Sequence, residues 1–71
     1  MTQEDAIAGL EEIFEVEPGT LKPDTPLDSL AWDSMAMLSV IAFANERSGK
    51  RITGAQIKGF KTIGDILVAT A

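Results

Sequence analysis

Apolar positions recur at spacings of three and four in three stretches of the chain. Ile7, Leu10 and Phe14, with Ile13 adjacent, give the first stretch one apolar face. Glu11, Glu12 and Glu15 fall mostly on its other side. Thr2 is a good N-cap, and Asp5 three residues on makes a capping box with Asp in place of Glu or Gln. Glu4 and Asp5 in the first turn complement the helix dipole. These signals predict a helix over residues 3–15, ended by Pro18-Gly19.

From Val16 to Asp33 the helical pattern stops. Pro18, Pro23 and Pro26 all lie here, which disfavours both a helix and a central strand. Leu21, Leu27, Leu30 and Trp32 predict an ordered loop held to the core by its apolar residues. A second helix is predicted from Ser34 to Ser48. Met35, Leu38, Ile41 and Ala42 mark one stripe, and Met37, Val40, Phe43 and Ala44 widen it until the helix is apolar over most of its girth. That is the pattern of a central helix. Gly49 suits its C-terminal end. Ile52 then turns back to the core. Gly54 to Phe60 has room only for a short or irregular helix, anchored by Ile57 and Phe60. Thr62, with Asp65 three residues on, caps a last helix whose inward face is Ile63, Ile66, Leu67 and Thr70. The expected fold is all-α, a single domain over residues 1–71. It is a small bundle of three main helices plus one short helix, with a long loop between helices I and II.

Composition narrows the chemistry. The chain has no Cys and no His, which excludes disulfides, thiolate metal sites, a cysteine nucleophile and imidazole acid–base catalysis. Its net charge of -5 is unevenly spread. Residues 1–33 carry nine carboxylates and one lysine, whereas residues 34–71 carry two carboxylates and five bases. An acidic first half argues against nucleic acid as a ligand. The most apolar stretch, Met35 to Ala44, is too short to span a bilayer, and the acidic start lacks the positive charge of a signal peptide. The expectation is a cytoplasmic monomer with no membrane insertion.

The candidate site is the junction of loop and second helix. Ser34 opens that helix beside Asp33, and the free N–H groups and partial positive charge of a helix N-terminus suit a phosphate ester. Asp-Ser-Met alone is a weak signal, since Asp or Ser before a helix is ordinarily a cap. Asp28-Ser29-Leu30 is a rival string, but it lies inside the loop, while Ser34 directly precedes the long apolar run. No base other than Asp33 stands near Ser34 in sequence, so the serine reads as a substrate for modification and the chain as a non-enzyme.

The order and spacing of these features resemble the acyl carrier protein family along essentially the whole chain. The residues that carry the resemblance are Leu30 four before the serine, Asp33-Ser34-Met35 opening helix II, Ile52, and Thr62-Ile63 opening the last helix. The resemblance implies 4′-phosphopantetheine, derived from coenzyme A, on Ser34. It also implies that Asp33 helps the transferase place a metal-bound substrate and orients the hydroxyl. A prosthetic arm would supply the thiol that the side chains lack. The implied partners are a phosphopantetheinyl transferase and acyl- or aminoacyl-activating ligases, acyltransferases or synthases. Trp32, Met35, Ala36, Met37 and Ser39 are the candidate contacts for them.

The chain departs from the fatty-acid type of carrier in several respects: Ser48 stands where an aromatic is usual near the end of helix II, Lys50, Arg51, Lys58 and Lys61 make the region around the short helix basic, and helix II lacks the usual acids. Positions that usually hold acids just after the serine read Ala36 and Ser39, and the only acid in helix II is Glu46. A specialised carrier, outside bulk fatty-acid synthesis, is therefore expected. An aminoacyl or peptidyl carrier, including the D-alanyl type with its Asp-Ser-Met, is the nearest alternative. An unmodified helical interaction module is the alternative of another class. Glycines at 54, 59 and 64 are read either as hinges that let the core open around an acyl chain or as loop and cap residues.

Overall fold

The computed structural model describes residues 2–71. Four α-helices follow one another: α1 is Gln3–Phe14, α2 is Ser34–Ser48, α3 is Gly54–Gly59 and α4 is Ile63–Thr70. One 3-10 turn, Leu27–Ser29, lies in the long connection between α1 and α2. The described residues form no strand, and a lone antiparallel bridge joins Pro26 to Thr62. Helices α1, α2 and α4 enclose one core, with α3 packed on α2. Leu10, Leu27, Val40, Ile63 and Ile66 are completely buried in it. No helix among the described residues is long and apolar enough to cross a membrane.

Helix α1 begins with the Thr2 hydroxyl accepting from the Asp5 N–H at 3.1 Å, the N-cap half of the expected capping box. Its end is different. The helix stops at Phe14 rather than residue 15, before Pro18-Gly19 is reached. Glu15 adopts a left-handed conformation (φ 56°) and its N–H caps the carbonyls of Glu11 and Glu12. A left-handed cap does the work expected of the Pro-Gly pair, with a non-glycine residue in the position glycine ordinarily takes. Glu11 is also placed otherwise than expected. It is buried, and its carboxylate accepts from the N–H groups of Gly19 at 2.7 Å and Leu21 at 3.2 Å. The charge that spacing puts on the polar side of the helix instead satisfies two loop donors where the loop turns back on α1.

The loop is ordered, as its leucines predict. Leu21 and Leu27 are buried, and Leu30 and Trp32 are half-buried against the core. Its fastening to α4 has no sequence signal. Leu27 N–H donates to the Lys61 carbonyl at 2.8 Å, Ile63 N–H to Thr25 at 3.0 Å and Gly64 N–H to Pro23 at 2.7 Å. Gly64 is needed for that approach, because a Cβ there would lie 2.8 Å from the Pro23 carbonyl oxygen. Gly64 is therefore a close-packing residue, and the hinge reading is withdrawn for it.

Helix α2 spans the expected residues, but its rotation differs from the expected stripe. The buried side chains are Ala36, Val40, Phe43 and Ala44. Met35 and Leu38 are 76% and 66% exposed, Ala42 is exposed and Ile41 is half-buried. A helix apolar nearly all round carries little information about which face turns inward. Packing decides it: the Phe43 ring occupies the space where a side chain on Gly9 of α1 would stand. Gly49, at φ 67°, ends the helix as expected. Helix α3 is short but regular, opened by a capping box between Thr53 and Gln56. The Thr62–Asp65 box is present too, and Ile63, Ile66, Leu67 and Thr70 all face inward.

Two expectations follow. Gly64→Ala should destabilise the fold by about 1–3 kcal/mol by forcing the loop off α4. Gly54→Ala, with open space around it, should be neutral or stabilising by up to about 1 kcal/mol; urea denaturation of both variants measures the difference. The Asp65 carboxyl is held below its ordinary value, chiefly by the Lys61 N–H, then by the Thr62 N–H, with the Lys61 charge adding to this and partial desolvation opposing it. A folded value below the unfolded one means that the cap contributes fully above the usual carboxylate range and is lost as pH falls through the lowered value. Asp65→Asn should therefore flatten the acid side of a stability–pH profile and leave its neutral-to-alkaline shape unchanged.

Candidate functional site

The loop–helix junction is built by short-range hydrogen bonds. After the 3-10 turn, Trp32 N–H donates to the Leu30 carbonyl at 2.8 Å and Asp33 N–H to the Ala31 carbonyl at 3.1 Å. These two tight turns bring Asp33 to the N-cap of α2 in an extended conformation. Asp33 Oδ1 accepts from the Ala36 N–H at 2.9 Å, and its carbonyl accepts the first helical bond, from Met37. Ser34 is thus the first residue of the helix, and its side chain is exposed. The first N–H groups of a helix lack intrahelical acceptors. With Ala36 taken by Asp33, those of Ser34 and Met35 are left to face an anion.

The rival serine is committed elsewhere. Ser29 closes the 3-10 turn, and its hydroxyl donates to the Pro26 carbonyl at 2.7 Å. Leu30 after it is extended, so no α-helix begins there.

The remaining candidates separate by burial. Met35 and Ser39 are exposed on α2, and Met37 is half-buried against the core. Ala36 is buried, turned from the exposed face of α2 toward α1, where it lines the seam between the two helices. Trp32 is half-buried, with its ring 6.0 Å from that of Phe14 at an interplanar angle of 42°, so it packs on α1 beside the junction. Leu38 and Ala42, which spacing groups with Met35 and Ile41 in one apolar stripe, stand on the same exposed face of α2 as Met35. No charged side chain interrupts that face between Ser34 and Asn45. Helix–serine order makes this face visible in sequence only once the inward side of α2 is known.

Two shallow grooves lie where α1 meets α2. One, of about 230 Å³, runs between Phe14, Glu15, Asp33 and Ala36. The other, of about 290 Å³, runs between Gly9, Glu12, Phe43 and Arg47.

Comparison with known proteins gives the arrangement its family. The family model described as phosphopantetheine attachment site matches residues 6–67. The meromycolate extension acyl carrier protein of Mycolicibacterium smegmatis is 34% identical over 71 residues, covering 93% of this chain and 72% of its own length. The protein of the same name from Mycobacterium tuberculosis H37Rv is 32% identical over 72 residues, 94% of this chain and 63% of its own length. The acyl carrier protein of Arthrobacter sp. FB24 is 35% identical over 69 residues, covering 90% and 85%. The chain thus spans from somewhat under two thirds to most of these relatives' lengths. No solved structure matches the chain. A family match across most of the four-helix unit, with relatives above 30% identity along nearly all of it, makes this chain a member of the acyl carrier protein family.

Proposed function

We propose that Ser34 is where this acyl carrier protein takes its 4′-phosphopantetheine arm. The observation that carries the reading is the state of the two serines. Ser34 is exposed at the first turn of a 15-residue helix, whereas the Ser29 hydroxyl is bound to a loop carbonyl. The residues fit the group: the hydroxyl is open, and the Ser34 and Met35 N–H groups are free to receive a phosphodiester. The arm supplies a thiol for thioester formation, which no side chain of this chain can provide. Asp33 has two tasks. Its Oδ1 holds the helix terminus, and its other oxygen is left to orient the Ser34 hydroxyl and a metal-bound substrate on a phosphopantetheinyl transferase.

The chain acts as substrate and carrier, not as catalyst, in one domain over residues 1–71. Partner enzymes of the ligase, acyltransferase or synthase type meet it beside Ser34, on Met35 and Ser39 with Trp32 and Met37 at the edges. The uncharged exposed face of α2 and the meromycolate-extension names of two relatives support a specialised acyl pathway. The chain functions as a monomer in the cytoplasm.

Intact-protein mass after incubation with coenzyme A and a broad-specificity phosphopantetheinyl transferase tests the attachment site. Wild type and Ser29→Ala should gain one phosphopantetheine increment, and Ser34→Ala none. An increment retained in Ser34→Ala defeats the assignment. The two tasks of Asp33 separate by substitution. Asp33→Ala should cost about 1 kcal/mol of stability through loss of the cap, while Asp33→Asn, still a good cap, should cost little. Both should slow loading by an order of magnitude or more, read as the initial rate of the same mass change.

A further inference from the structure

The two grooves at the α1–α2 seam meet at Ile13 and Ser39, which line both, and make a two-part trough. It follows α2 from Asp33 to Arg47, about 21 Å at 1.5 Å per residue. Its floor is made by the apolar side chains of Ile13, Phe14 and Phe43, and the Phe43 ring fills the space over Gly9. Its rim is acidic. Glu12 and Glu46 border one groove, and Glu15 and Asp33 the other; all four are exposed. The one cation on the trough, Arg47, lies over the Phe43 ring at 5.4 Å, at the end away from Asp33.

We infer that this trough is a docking groove for a cationic amphipathic segment of an enzyme that acts on this carrier. The inference rests on the carrier reading above for the partner's identity as a carrier-handling enzyme. Charge complementarity selects the occupant. Four rim carboxylates above an apolar floor match a helix or strand that presents apolar side chains inward and Lys or Arg at its edges. Arg47 sets the direction, since the cationic side chains of the occupant gather toward Asp33 and Glu15. The groove also begins at Asp33, next to Ser34, so a segment seated there lies beside the attachment point. Electrostatic attraction to partners, absent from the exposed face of α2, is thereby placed on the seam instead.

The test uses the unmodified chain, isotope-labelled, titrated with a synthetic 14-residue helix bearing Leu at helical three-and-four spacing and Lys elsewhere. A matching peptide with Glu for Lys is the control. Amide shifts should centre on Gly9, Ile13, Ser39 and Phe43 with the Lys peptide and be absent with the Glu peptide. Glu12→Gln combined with Glu15→Gln should weaken binding about tenfold, and raising salt from about 50 to 300 mM should weaken it several-fold. Ser39→Trp, an exposed position in the middle of the trough, fills the floor and keeps every carboxylate. It should weaken binding about tenfold, and an unchanged affinity would mean diffuse charge attraction and overturn the inference. Shifts centred on Leu38 and Ala42, which line neither groove, overturn it as well. Concentration-dependent dimerisation in sedimentation that perturbs the same seam amides would assign the trough to a second copy and overturn it too. Peptide binding does not require Ser34 to be loaded, so failure here leaves the attachment site standing, and failure of loading leaves the trough standing.

Discussion

The pairing of the long loop with the start of α4 is the constraint on which the site depends. A connection running from Glu15 to Asp33 has a large conformational entropy, and three prolines reduce it only in part. Three backbone hydrogen bonds to Lys61, Ile63 and Gly64 remove much of the rest, and buried Leu21 and Leu27 hold the same stretch from beneath. At its other end the Glu11 carboxylate holds Gly19 and Leu21. Only a loop fixed at both ends can deliver Asp33 to the N-cap of α2 in one geometry. The exposure of Ser34 is therefore a consequence of contacts made far from it in sequence.

Much of this was legible in the chain. Helix positions follow from caps and periodicity because those signals are local: Thr2, Asp33, Gly49 and Thr62 each act within four residues. The choice of Ser34 over Ser29 also follows from local order, since only one of them precedes a helix. What was not legible is set by contacts across the fold. Glu11 looks like a surface acid until the loop folds over it. Gly64 reads equally as a hinge or as a loop and cap residue until Pro23 is brought against it. The Thr53–Gln56 box is a missed signal rather than a hidden one, because its spacing stands in the sequence.

The rotation of α2 is the most consequential of these cases. A roll of the helix by less than half a turn exchanges the stripe of Met35, Leu38 and Ala42 for that of Ala36, Val40 and Phe43. Both stripes are apolar, so burial energy separates them weakly. Shape separates them: Phe43 fits over Gly9, and small Ala36 and Ala44 let α2 approach its neighbours. The result is that a large Met and a large Leu face solvent next to the serine. Exposed apolar side chains cost nothing in the folded chain that they would not cost unfolded, yet they are a ready surface for a partner.

The seam and the α2 face then divide recognition between them by physical kind. The face beside Ser34 carries no charge, so attraction there is short-ranged and depends on fit. The seam carries carboxylates at its rim, so attraction there acts at distances up to a Debye length, before contact is made. Glu15 illustrates the division. It occupies a left-handed cap where glycine would be less strained, and the side chain kept there contributes one of the rim carboxylates. On the docking proposal, a partner steered by the seam would arrive near Asp33, where the trough ends. Charge at the seam would then set orientation and the apolar ridge on α2 the final fit, so that each surface would supply what the other lacks.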